Sequence, residues 1–193
     1  MSKYVIVDTE TTGLNFDIHR PIEVAWLTVD LDQGIDKYAS PMRFFNMLSH
    51  KEIMDSDPLA LEINGWTTED LLLDLPDNAS SPQSLKSREW FYDEVQGATL
   101  VGANVRFDAQ MLMSIMPHSQ EPWSHRLLDI QAFYAGIKRT PTVPSLRNIM
   151  ADLINEAKAQ GWDDVSITKP DHTATNDVRC VRDILYILLD KYL

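Results

Sequence analysis

Lys3-Tyr4-Val5-Ile6-Val7-Asp8-Thr9-Glu10-Thr11-Thr12-Gly13-Leu14 is the stretch from which the rest of the sequence is read. Its first half, Tyr4 to Val7, is a short apolar, β-rich run without polar alternation, the pattern of a strand buried on both faces. At Asp8 the polarity changes abruptly. Side chains alternate along a strand, so Asp8 and Glu10 project on the same side, about 7 Å apart. Two carboxylates at the end of a buried strand repel each other and lose solvation, which is costly unless a cation neutralises them. Taken alone, the stretch reads equally well as a polar strand end whose acids face water or cap a neighbouring helix.

The 193 residues suffice for one domain with a full-sized core, and the whole chain, 1–193, reads as a single domain. Hydrophobic residues make up 44%, an ordinary globular share, and the longest apolar runs are far too short to span a membrane. The opening Met-Ser-Lys-Tyr-Val has no secretory h-region, and Cys180 is the single cysteine, so no intramolecular disulfide can form. A cytoplasmic, soluble protein with no membrane partner is the expectation. The net charge of −12 argues against a basic face that grips long duplex nucleic acid. It leaves room for an enzyme that holds a short single-stranded end through metal ions, because such contacts are local.

Outward from the first stretch, Asn15 to Arg20 reads as a loop and Pro21 to Leu31 as a long strand. Tyr38 to Phe45 returns as a third strand, placed at an edge by Pro41, which gives an antiparallel three-strand meander. Asp57-Pro58 is an N-cap followed by proline at the first helical position, opening a short helix to Asn64. Leu75 to Ser84 reads as a loop, and a helix follows from Leu85 to Gln96. Then come a strand at Thr99–Gly102, a helix from Arg106 to Met116, a strand at Arg126–Asp129, and helices at 130–137 and 145–159. The last helix spans Thr175 to Tyr192, with Val178, Val181, Leu185, Leu188 and Tyr192 at three-to-four spacing. Strands first, then alternating strands and helices, make this an α/β fold around a mixed five-stranded sheet, the meander continued by parallel strands.

Two later segments repeat the polarity switch. In Gly102-Ala103-Asn104-Val105-Arg106-Phe107-Asp108 an apolar strand ends and polar groups appear as a helix begins. Asn104 and Asp108 can share one side of that junction, although an N-cap asparagine and a solvated first-turn acid account for them more simply. In Asp171-His172-Thr173-Ala174-Thr175-Asn176-Asp177, His172 and Asp177 are five apart, about 140° round a helix axis. They converge only if His172 lies on the loop before the helix and Asp177 in its first turn. Pro170, by keeping the preceding chain extended, permits this. An exposed loop histidine and an N-terminal acid remain the plainer reading of that segment by itself.

Taken together and in order, the three segments resemble the DEDDh 3′–5′ exonucleases, of which the proofreading subunit of bacterial DNA polymerase is the type. The first motif is similar to Val7 to Leu14, the second to Val101–Asp108 with its Asn-x-x-Phe-Asp ending, and the third to His172-x4-Asp177; Leu128-Asp129-Ile130 resembles the family's Leu-Asp-Thr. The resemblance covers nearly the whole chain. Ala103 stands where the family has histidine before the asparagine, and Asn176 stands where it commonly has an acid or alanine. Neither departure touches a ligand position. No family counterpart is known for 74–83 or 162–169.

The resemblance implies an RNase H-like fold and a metal-dependent hydrolase that releases nucleoside 5′-monophosphates from single-stranded DNA or short RNA 3′ ends. It implies two Mg²⁺ or Mn²⁺ ions held by Asp8, Glu10, Asp108 and Asp177, with His172 as the base. Thr11, Thr12, Leu14 and Asn104 become the substrate-binding candidates, with Leu14 as well suited to the core. Phe107 reads as core, and Arg106, Lys138, Arg139 and Arg147 as candidate phosphate contacts. Oligoribonuclease-like trimming of short RNA is one alternative. Another is a non-catalytic module of the same fold that binds a polymerase or other replication protein. Loss of one acid or of the histidine would favour that module, and all five are present.

Overall fold

The computed structural model describes residues 3–117, 119–161 and 165–192. Strand β1 (Tyr4–Thr11) is central, and the sheet order is β3-β2-β1-β4-β5 with β2 (Pro21–Val29), β3 (Met42–Phe45), β4 (Thr99–Gly102) and β5 (Leu128–Asp129). Pairing of β1 with β2 and of β2 with β3 is antiparallel, whereas β1 with β4 and β4 with β5 are parallel. This is the expected mixed five-stranded sheet. The apolar run Val5-Ile6-Val7 is buried on both faces, as its lack of alternation requires.

One face of the sheet is covered by α7 (Ile130–Lys138), α8 (Leu146–Ala159) and α9 (Ala174–Tyr192), whose Val178, Val181, Leu185 and Leu188 pack against Ile6 and Ala25. Those four residues are the stripe read from the sequence; the side chain of Tyr192, its fifth member, lies outside the described residues. The other face carries α5 (Pro82–Glu94) and α6 (Val105–Met113), with Phe91 meeting Trp26 and Phe44 in a T-shaped and tilted aromatic cluster. A smaller cluster forms where α1 (His50–Met54), α2 (Pro58–Asn64), α3 (Thr68–Leu73) and α4 (Leu75–Ser80) close over Ile22. Among the described residues no helix is long and apolar enough to cross a membrane.

The third strand is shorter than expected, Met42–Phe45 rather than from Tyr38, one expected loop is helical and one helix was not foreseen. Leu75 to Ser84 is not a loop: it holds α4 and the start of α5. Pro76 and Pro82 both sit in first turns, where a missing N–H costs nothing, and the Ser81 hydroxyl accepts from Ser84 N–H at 3.2 Å as the cap of α5. The prolines and serines mark helix starts here. Helix α1 was unread; its signal is the capping box Ser49–Glu52, with Ser49 N–H donating to the Glu52 carboxylate at 2.8 Å. Of the second family-unmatched segment, residues 162–164 lie outside the described residues, and 165–170 have no regular structure.

Candidate active site

Strand β1 carries Asp8 and Glu10 to the end of the sheet, where Asp8 lies opposite Ala25 and Glu10 opposite Glu23 on β2. The register slips between Glu10 and Thr11, so the ladder is irregular just beyond the second acid. Thr12 N–H donates to the Arg20 carbonyl and Asp57 N–H to that of Thr12, which turns the chain away from the sheet. A side chain at Gly13 (φ +152°) would run into the His19 ring, 2.2 Å from an ideal Cβ. The third motif arrives from α9. The Thr173 carbonyl accepts from Asn176 N–H and Asp177 N–H, both at 3.0 Å, which sets Asp177 in the first turn. The Asp171 carboxylate accepts from the Thr173 hydroxyl at 2.8 Å and from Asn176 Nδ2 at 2.7 Å. Between them His172 takes a left-handed conformation (φ +63°), exposed at the rim. The loop-then-turn placement that the spacing of five demanded is the one observed.

Asp8, Glu10 and Asp177 each bring a carboxylate oxygen within 4.8 Å of the others. Asp108 is not part of that trio. It is 3% exposed on α6, and its Oδ1 accepts from Thr9 N–H at 3.0 Å and from the Thr9 hydroxyl at 2.8 Å. Gly102 permits this approach, since a Cβ there would lie 2.9 Å from the Val7 carbonyl oxygen. With like charges gathered and solvent thinned, the carboxyls hold their protons more tightly than free ones do. Burial first, then Asp108, Glu10 and Asp177, raises the pKa of Asp8 well above the usual range. Burial, followed by Asp177 and Glu23, pushes Glu10 up to about 8. Burial takes Asp108 to about 7 against the pull of the Thr9 hydrogen bonds. Asp177 is raised by burial, opposed by the N–H of Asp171 and the charge of His172. Such a set is relieved by a cation. Its donors are all carboxylate oxygens, a hard set that suits Mg²⁺ or Mn²⁺ rather than zinc.

The substrate candidates separate into two kinds. Thr11 and Thr12 are buried, and their hydroxyls serve the loop: Thr11 donates to the Gly13 carbonyl at 2.9 Å, and Thr12 accepts from Arg20 N–H at 3.0 Å. Asn104 is exposed in a left-handed conformation (φ +54°) at the N-cap of α6, where its side chain makes no capping bond. Leu14 is 73% exposed, which removes the core alternative. Phe107 is not core either: it is half-buried, and its ring meets Phe16 with centroids 5.4 Å apart. It follows Arg106 and precedes Asp108 on α6, so burial of Asp108 turns Phe107 toward the rim. Arg106 pairs with Glu121 at 3.4 Å, Lys138 with Glu156, Arg139 closes α7, and Arg147 is exposed.

Two participants were missed. Glu23, 4% exposed and across from Glu10, adds a further negative charge, and Arg43 holds it at 3.1 Å. Its signal was a lone acid inside the apolar run Pro21–Val29. Asp171 anchors the His172 turn, and the only sequence signal for it was its place beside the motif.

Compared with solved structures, the fold matches Exonuclease I. The Methylocaldum szegediense enzyme aligns with all of this chain at a TM-score of 0.66 and 17% identity. E. coli Exonuclease I in complex with a dT13 oligonucleotide aligns with 97% of it at 0.63 and 20% identity. The chain covers 41% of each of those proteins. In sequence it is 25% identical over 126 residues to an oligoribonuclease of Buchnera aphidicola, 64% of this chain and 67% of the relative. No family model matches. The exonuclease resemblance drawn from the three motifs is borne out in the fold, and the sequence relative is a nuclease by name.

Proposed function

We propose that the protein is a metal-dependent 3′–5′ exonuclease acting on single-stranded nucleic acid, and that residues 1–193 work as one exonuclease domain. The observation that carries this is the meeting of Asp8, Glu10 and Asp177, from the two ends of the chain, within 4.8 Å. Asp8, Glu10 and Asp177 are the residues to hold divalent ions, with Asp108 supporting a second one. When bound, two such ions neutralise the carboxylates and the phosphate and supply a nucleophilic water near neutral pH.

His172 accepts the proton of the attacking water, the general-base work that an imidazole at the rim of the acids can do. Its left-handed turn, tied by Asp171 and Thr173, sets the residue at the rim of the acids. As water bonds to phosphorus, the bond to the 3′ oxygen breaks, leaving a nucleoside 5′-monophosphate and a chain one unit shorter. The exposed Leu14 and the touching rings of Phe16 and Phe107 offer apolar surface on segments that adjoin the acids in sequence, suited to the faces of terminal bases. Asn104 offers an amide at the same junction, and Thr11 and Thr12 fix the loop that carries Leu14. Short RNA is the second reading of substrate, favoured by the oligoribonuclease relative.

Asp8→Ala with Glu10→Ala is expected to abolish metal-dependent hydrolysis of labelled DNA and RNA oligomers of matched sequence. Unchanged turnover by the double variant overturns the reading, and the wild-type DNA-to-RNA rate ratio decides the substrate. His172→Ala is expected to slow the chemical step by about 10²–10⁴-fold and to remove the neutral limb of its pH profile. An identical profile removes the histidine from the role of base.

A further inference from the structure

Behind the first turns of α9 lies a second polar site. Thr175 and Arg179 flank Asp177 at two residues on either side, about 200° round the helix, so they face away from the acids. With Arg43 of β3 and Gln83 and Ser87 of α5 they line a cavity of about 450 Å³ at the open edge of the sheet. No carboxylate lines this cavity, although acids outnumber bases 29 to 17 in the chain. Arg43 donates to Glu23 at 3.1 Å and Arg179 to Asn176 at 2.9 Å, one side-chain hydrogen bond each among the described residues. A guanidinium has five N–H donors. The Thr175 Oγ1 is buried with no hydrogen-bond partner among the described residues. A buried hydroxyl without a partner calls for one, and the charged groups lining this cavity, Arg43 and Arg179, are both donor-only cations.

We infer that this cavity is a phosphate-binding site distinct from the catalytic centre. Two guanidiniums with a hydroxyl and an amide form a donor set suited to a multi-oxygen anion, and the planar guanidinium of arginine favours phosphate through paired N–H contacts. The volume is that of a small-ligand cleft, with room for a phosphate that carries a nucleoside. The choice of phosphate over other oxyanions rests on the exonuclease reading, in which both substrate and product carry it. Two sources share this chemistry: the released 5′-mononucleotide, and a phosphate of the strand being shortened. The path from acids to cavity runs through Glu23, which touches Arg43 and lies opposite Glu10.

The test uses the Asp8→Ala/Glu10→Ala protein in chelator, so that the catalytic centre is silent. Inorganic phosphate, a 5′-mononucleotide and a short single-stranded oligomer are titrated by calorimetry. Binding is expected, weakened about 10-fold or more by Arg179→Ala and by Arg43→Ala, and several-fold by Thr175→Val. Arg43→Ala also strips Glu23 of its partner, so Arg179→Ala and Thr175→Val, which leave that pair intact, decide if Arg43→Ala fails to fold. Equal weakening for mononucleotide and oligomer identifies the free product as the ligand; weakening for the oligomer alone identifies the strand. No binding of any of the three, or binding that ignores both arginines, overturns the inference. Hydrolysis by the metal-loaded wild-type protein is read separately, so failure of this site leaves the exonuclease reading standing, and failure of that reading is seen in hydrolysis and not in the titration.

Discussion

Glu10 and Glu52 flank the same loop, and their surroundings push them in opposite directions. Glu52, in the first turn of α1, feels some burial, but the N–H and hydroxyl of Ser49 and the guanidinium of Arg20 outweigh it and hold its pKa low. Glu10, on β1, is buried beside Asp177 and Glu23, with no ion pair of its own among the described residues, and is pushed up to about 8. One carboxylate is bonded into a cap and helps to hold the fold. The other is left unmatched by the protein. A chain that satisfies an acid so fully at Glu52 leaves acids unsatisfied at the end of β1, which is what the proposed cation site requires. That difference supports a cation site more directly than a count of acidic residues does, since acids are common on a protein surface without any ion.

The sharpest way to break the comparison is pH. A carboxyl whose folded pKa is raised takes up protons on folding, so it withdraws stability as pH climbs from the unfolded value near 4 through the folded one. Metal-free protein is therefore expected to lose at least about 2 kcal/mol between pH 5 and pH 8, about 4–8 °C in Tm for a chain of this size. Glu10→Gln, which keeps the shape and removes the charge, should raise the metal-free Tm at pH 8 and flatten the slope. Magnesium should raise the wild-type Tm at pH 8 and do so much less in the variant. Thermal melts in chelator and in magnesium check all three. A metal-free Tm that rises with pH over this range would show the acids to be solvated, with no cation needed.

The same contrast explains what was legible in the sequence. The acids of β1 stood out because an apolar run stops at Asp8, and burial follows from that run. The sheet was legible because period and turn residues agree, down to the edge position of β3 beside Pro41. Long-range closeness was not: nothing local says that Glu23 faces Glu10 or that Arg43 holds it, because register across strands is a tertiary fact. Phe107 was misread as core because an aromatic residue on a helix usually is. Its direction is fixed by Asp108 next to it, which points inward to Thr9. The proline- and serine-rich stretch 75–84 misled for a different reason, since the residues that break helices in the middle also begin them.

The smallest effect tests the other half of the comparison. Glu52 ties α1 to the loop after β1: its Oε1 accepts from Arg20 Nε at 3.1 Å, and Arg20 NH1 donates to the carbonyls of His19 at 2.7 Å and Phe16 at 3.2 Å. The pair is partly exposed, so its charge contributes modestly, and Glu52→Gln is expected to cost no more than about 1 kcal/mol, screened further by salt. The pH sign is the reverse of that at Glu10. A carboxylate with a lowered folded pKa contributes stability above its unfolded value near 4.3 and loses it as pH falls through the folded one. The gap between wild type and Glu52→Gln should thus be constant from pH 8 to about 5 and close below about pH 4. Because the bond restrains the segment bearing Phe16, KM for an oligomer should rise slightly while kcat holds. A gap that widens toward acid would mean that Glu52, too, folds in its protonated form, and the division between the two glutamates would fail.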